Sequence, residues 1–206
     1  MTAAAFKKRL TEGMGAGQIF ALAKEFIELP IAQIEKLLDS PDHDARVGAL
    51  SIMDKQARRK STPESHRQEL YELYLRRMDA IDTWDLVDLG APWVIGRYLI
   101  DKPRDVLYTL ARSENPWERR TAIVSCLYFV RQGEVDDTFA LAAILAQDEH
   151  DYVRKATGGL LREAGKKNTP KLLSFLEEHA GTMPRVMLRY ATERLDTQQR
   201  AGFMAR

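Results

Sequence analysis

Apolar residues recur at steps of three and four along most of this chain. Ala122, Ile123, Cys126, Leu127 and Val130 fall on one face of a helix, as do Leu70, Leu73, Tyr74 and Met78, and again Leu172, Phe175 and Leu176. No stretch alternates apolar and polar residues between turn signals, so strands have little support. Start signals are frequent. Asn115-Pro116-Trp117-Glu118 sets a capping Asn before a Pro at the first helical position, with Glu at the third. Thr62-Pro63-Glu64 and Thr169-Pro170 repeat the cap-then-Pro order, Thr83 predicts a cap before Trp84, and Gly133 and Gly181 predict stops. The pattern predicts helices near 17–28, 31–38, 44–59, 63–79, 84–99, 104–112, 116–131, 136–146, 150–164, 170–179 and 184–194.

These helices pair into hairpins with a loose repeat. Arg120-Thr121-Ala122, Arg154-Lys155-Ala156 and Arg189-Tyr190-Ala191 place their arginines 34 and 35 residues apart, and Arg46-Val47-Gly48-Ala49 is an offset fourth copy. Two helices per unit at this period predict an all-α fold, an α-solenoid of HEAT-like helical hairpins with a concave face. One continuous array over 1–206 is expected, with 1–17 a short, poorly ordered segment. The repeated arginines have two readings: each bridges to an acid of the next repeat, or together they form a basic stripe inside the curve.

Composition changes this picture little. Lys and Arg number 31 against 30 Asp and Glu, a net charge of +1, so overall charge does not announce a nucleic-acid binder. Local segregation tilts toward one: Arg154, Lys155, Arg162, Lys166, Lys167 and Lys171 face only Glu163 in their segment. The lone Cys126 sits in an apolar run and excludes an internal disulfide. There is no signal peptide pattern and no 18-residue apolar run, which leads us to expect a cytoplasmic protein with no membrane association, acting as a monomer.

Phosphate-cradling loops, dinucleotide fingerprints, zinc-type Cys/His spacings and serine elbows are absent, so neither metal nor cofactor is expected. His43, His66, His150 and His179 stand singly and read as surface or capping residues. One constellation stands out, in the run Thr83-Trp84-Asp85-Leu86-Val87-Asp88-Leu89-Gly90-Ala91-Pro92-Trp93. Trp84 and Asp88 are four apart and share a helix face one turn apart. Pro92 cannot donate to the Asp88 carbonyl and should kink or end the helix. Trp84 packing between repeats, with Asp85 or Asp88 in an inter-repeat ion pair, is the plainer reading; an indole–carboxylate site is the sharper one.

The run Thr83–Pro92, the run Ser113–Ser125 (SENPWERRTAIVS), the stretch from Arg131-Gln132-Gly133 to Asp137-Thr138, the run Leu161–Lys166 and the stretch from Met183-Pro184-Arg185 to Ala191 resemble the DNA alkylation repair family of HEAT-like alkylpurine DNA glycosylases. The likeness spans roughly Ala21 to Arg194. It implies a protein that cradles duplex DNA containing alkylated purines and releases N3- and N7-alkylated bases without drawing them into a pocket, unlike most glycosylases. It implies Asp88 as the catalytic carboxylate, Trp84 as the aromatic on the lesion's sugar, and Arg120 as a holder of DNA backbone; Arg154, Arg162, Arg189 and Arg46 join it as candidate DNA contacts. Two departures stand out. Gly159 occupies the place of a second cleft tryptophan, in a Gly158-Gly159 pair that costs a helix roughly 1 kcal/mol per residue, and residues 1–17 keep little of the family's N-terminal segment. A DNA-binding member without excision, and a protein-interaction solenoid, are the alternatives.

Overall fold

The computed structural model describes all of residues 1–206. It is entirely helical, with thirteen α-helices and no strand, an α-solenoid type of fold. Contacts group the helices into two compact units, 1–98 and 99–206.

The first unit holds α1 (Ala3–Arg9), α2 (Ala16–Glu25), α3 (Ile31–Leu38), α4 (His43–Arg58), α5 (Glu64–Arg76) and α6 (Trp84–Gly90), then a π-helical turn over Ala91–Gly96. Helix α4 is its axis. Residues on every side of α4 are buried, among them Val47, Leu50, Ile52 and Met53, because α2, α3, α5, α6 and the π turn all pack on it.

The N-terminus departs from expectation. Far from being poorly ordered, residues 3–9 form α1, capped by the Thr2 hydroxyl, which accepts from the Ala5 amide. Phe6 is 0% exposed and stands edge-on to Phe26 at 5.2 Å. Its ring also lies against the bare α-carbon of Gly48, where an added Cβ would come within 2.3 Å of the ring. One aromatic among small residues gives no periodic signal, yet it buries enough area to hold a short helix in place.

Pro92 neither ends the helix nor simply kinks it. Lacking an amide hydrogen, it cannot close the bond to Asp88, and the ladder widens instead: the Arg97 amide reaches back to the Pro92 carbonyl, five residues away, at 3.1 Å. The predicted helix 84–99 is thus about two turns of α-helix followed by a π turn. Among the cap-then-Pro signals only Asn115 behaves as predicted, accepting from the Trp117 amide at 2.9 Å. The Thr62 hydroxyl turns inward to the Gln56 carbonyl, and Asn168, not Thr169, caps the helix that follows.

The second unit comprises α7 (Asp105–Leu110), α8 (Pro116–Gln132), α9 (Asp136–Ile144), α10 (Asp151–Lys167), α11 (Thr169–His179), α12 (Arg185–Ala191) and α13 (Thr197–Met204). Helices α8 and α12 both pack on α10. The glycine pair in α10 divides into two cases. A Cβ at Gly158 would lie 2.4 Å from the Met187 carbonyl oxygen, so glycine is what lets α12 approach; a Cβ at Gly159 would meet nothing within 4 Å. No helix is long and apolar enough to cross a membrane.

Candidate active site

Helix α6 places Trp84 at its first position and Asp88 one turn later. Leu86, Val87 and Gly90 point into the unit and fix the helix, so the opposite face carries Trp84, Asp85 and Asp88. Trp84 is 47% exposed, which is unusual for an indole, and Asp88 is exposed as well. Both line a cleft of about 470 Å³ entirely within the first unit. Its other wall comes from Met14, Ile19 and Phe20, around the start of α2, and its floor from His43, Asp44 and Val47 of α4. The cleft is therefore apolar in body, with the Trp84 ring and the carboxylates of Asp44, Asp85 and Asp88 in its lining.

Asp85 is anchored on both oxygens. Its carboxylate accepts from the Thr83 hydroxyl at 2.6 Å and is 2.8 Å from His43 Nε2. Burial pushes the Asp85 carboxyl up, but the bonds from Thr83 and His43 more than offset that and hold it below the usual carboxylate value. Thr83 occupies the cap position yet does not cap with its side chain; its hydroxyl donates to Asp85 instead. Sequence reasoning treated His43 as a lone surface or capping residue. Nothing in spacing links it to a partner 42 positions away; only the packing of α4 on α6 does.

The repeated arginines sit at the fourth or fifth residue of α4, α8, α10 and α12, but make different contacts. Arg46 donates to Asp82 at 2.8 Å and to the Ala80 carbonyl at 3.1 Å. Arg120 is only 7% exposed and donates to the Tyr152 carbonyl, tying α8 to the start of α10. Arg154 pairs with Asp151 at 3.5 Å. Arg189 is exposed, its guanidinium 5.9 Å from the Tyr190 ring. Arg162, on the last turns of α10, bridges Glu163 and Glu193. Arg46 thus reaches an acid outside its own helix, as does Arg162, which lies outside the repeat; the acid beside Arg154 is on the same helix, and Arg189 is exposed. Cys126 is fully buried, and burial pushes its thiol up to about 12, which makes it inert as a nucleophile. No group of three or more His, Cys, Asp or Glu side chains is placed to hold a metal ion.

A family model for the DNA alkylation repair enzymes matches residues 2–195, and the chain belongs to that family. DNA is the partner that membership implies. A solved structure described as a predicted DNA alkylation repair enzyme from Enterococcus faecalis shares the fold: 95% of this chain superposes on 93% of that one with a TM-score of 0.69 at 19% identity. No curated protein matches the chain.

Proposed function

We propose that this protein is a DNA glycosylase that releases cationic N3- and N7-alkylated purines from duplex DNA by hydrolysing the N-glycosidic bond. The observation that carries this reading is the exposed Trp84–Asp88 pair on the open face of α6, lining one cleft. A purine alkylated at N3 or N7 already bears positive charge and leaves as a neutral base, so it needs little acid assistance. What needs stabilising is the sugar, which becomes oxocarbenium-like as the bond to nitrogen breaks. Asp88 opposes that charge, and one such preorganised group is worth about 10²–10³ in rate. The face of Trp84 adds cation–π attraction of about 1 kcal/mol. Undamaged purines, lacking the charge and offered no acid, stay in place.

Incubating the protein with duplex DNA carrying 7-methylguanine or 3-methyladenine and separating free base chromatographically tests this. Release well above a protein-free blank is expected; none at all contradicts the proposal.

We assign phosphate contact first to Arg189, because its guanidinium is exposed where those of Arg46, Arg120 and Arg162 are held by protein groups. Replacing it with Ala should weaken damaged and undamaged duplexes alike and lower the salt slope of binding by about one. A titration at several salt concentrations reads both numbers, and an unchanged slope removes Arg189 from the interface.

The second reading, a DNA-binding member that does not excise, draws on Gly159. A Cβ added at the position meets nothing within 4 Å, so a side chain can leave the backbone there without a clash. Gly159→Trp should fold, gain helix propensity of roughly 0.5–1 kcal/mol and raise the excision rate. A well-folded variant with an unchanged rate counts against the idea that a missing aromatic limits activity.

A further inference from the structure

We infer that His43 is the general base of this reaction, taking the proton from the water that attacks the sugar, with Asp85 and Thr83 fixing the imidazole for that task. The inference rests on the glycosylase reading above and adds to it the proton acceptor.

The geometry is that of an oriented base. Thr83 Oγ1 donates to Asp85 Oδ1 at 2.6 Å, and Asp85 Oδ2 lies 2.8 Å from His43 Nε2. Asp85 is ionised, held so by both partners, and an ionised carboxylate only accepts hydrogen bonds. The hydrogen between the two groups therefore belongs to Nε2. In the neutral imidazole Nδ1 is then left as a bare lone pair. His43 lines the same cleft as Trp84 and Asp88. Asp85 stands three residues before Asp88 on α6, so the carboxylate that steers His43 is a helical neighbour of the one that faces the sugar. The division of labour is that of an acid that orients an imidazole and an imidazole that moves a proton.

The atoms balance without any co-reactant. The bond between the sugar carbon and the purine nitrogen breaks, and its electron pair neutralises the cationic base. Water oxygen bonds to the same carbon. Its proton passes to His43 Nδ1 and from there to solvent.

The charged groups near His43 are Asp85, bonded to it; Asp44 and Asp88, lining the same cleft; Asp42, which caps α4; and Arg46, one turn further along α4 and paired with Asp82. A protonated imidazole cannot act as a base, so acid should inhibit the enzyme. On the acid side 7-methylguanine keeps its positive charge, so inhibition there reports on the protein.

Single-turnover release of 7-methylguanine from duplex DNA, measured between pH 5 and pH 9, tests the assignment. The wild-type rate should fall on the acid side. His43→Gln should be slower by about a hundredfold at neutral pH and should lose the acid limb. Asp85→Asn offers an amide that can donate to Nε2, reversing the tautomer, and should lose a similar factor with duplex affinity intact. Thermal melting identifies a variant that fails to fold, in which case the Asp85→Asn profile carries the test. If either folded variant keeps the wild-type rate, or is slowed equally at every pH with the acid limb intact, His43 only ties α4 to α6 and the inference is wrong. If wild type and Asp88→Asn differ as expected while His43→Gln is normal, the glycosylase reading stands and this inference alone falls. If wild type releases nothing, both fall.

Discussion

Asp88→Asn should lower the single-turnover rate of 7-methylguanine release by about 10²–10³, the loss typical of removing one preorganised charge-stabilising group, while changing duplex affinity by less than about twofold. The two halves of this expectation have separate causes. Asparagine keeps the shape of the side chain and its place on α6, where Leu86, Val87 and Gly90 hold the helix from behind. The negative charge is what disappears, and it acts on positive charge that exists only as the glycosidic bond breaks. Ground-state binding, dominated by phosphates, does not feel it. Chromatographic base release and a fluorescence binding titration read the two quantities. A parallel loss of both would mean that Asp88 supports the fold rather than the chemistry.

Phe6→Ala should cost about 3–5 kcal/mol of unfolding free energy, the range for emptying a fully buried phenylalanine site. The ring is 0% exposed, stands 5.2 Å from Phe26 and lies over Gly48, which has no side chain with which to close the gap. The Arg9–Glu25 ion pair that also fastens α1 is about half exposed at both ends, and Arg9→Ala should cost far less than Phe6→Ala. The consequence reaches the cleft, because Met14, Ile19 and Phe20 follow α1 directly in the chain and form the wall opposite Trp84. Urea unfolding of the two variants side by side checks the contrast. Equal, small losses would show that α1 contributes nothing to the unit.

The scaffold was legible because helical periodicity is a local signal. Ile123, Cys126 and Val130 fall on one face of α8, and Asn115, Pro116 and Gly133 mark its ends as predicted. Helix α3 matches its predicted span 31–38 residue for residue. What escaped had no local signal. Helices α1 and α13 are short, seven and eight residues, and α1 rests on a single aromatic seated on a distant glycine. The π turn after α6 follows from Pro92, but the choice between breaking, kinking and widening depends on the packing of Ala91, Val94 and Ile95 in the unit. At the cleft, Trp84 and Asp88 were visible because one helical turn separates them. The His43–Asp85 bond was not, because 42 residues do. The arginine repeat shows the limit from the other side. Spacing located four helical arginines, yet burial at Arg120 and an acid beside Arg46 are properties of neighbours that spacing does not carry.

The central claim is that the Trp84–Asp88 face stabilises a positively charged sugar. Its most direct test compares two duplexes that differ in one residue, a cationic aza-sugar imitating the oxocarbenium and a neutral tetrahydrofuran abasic analogue. The account predicts that wild type binds the cationic duplex at least tenfold more tightly and that Asp88→Asn binds the two alike. Equal affinity of wild type for both duplexes would contradict it.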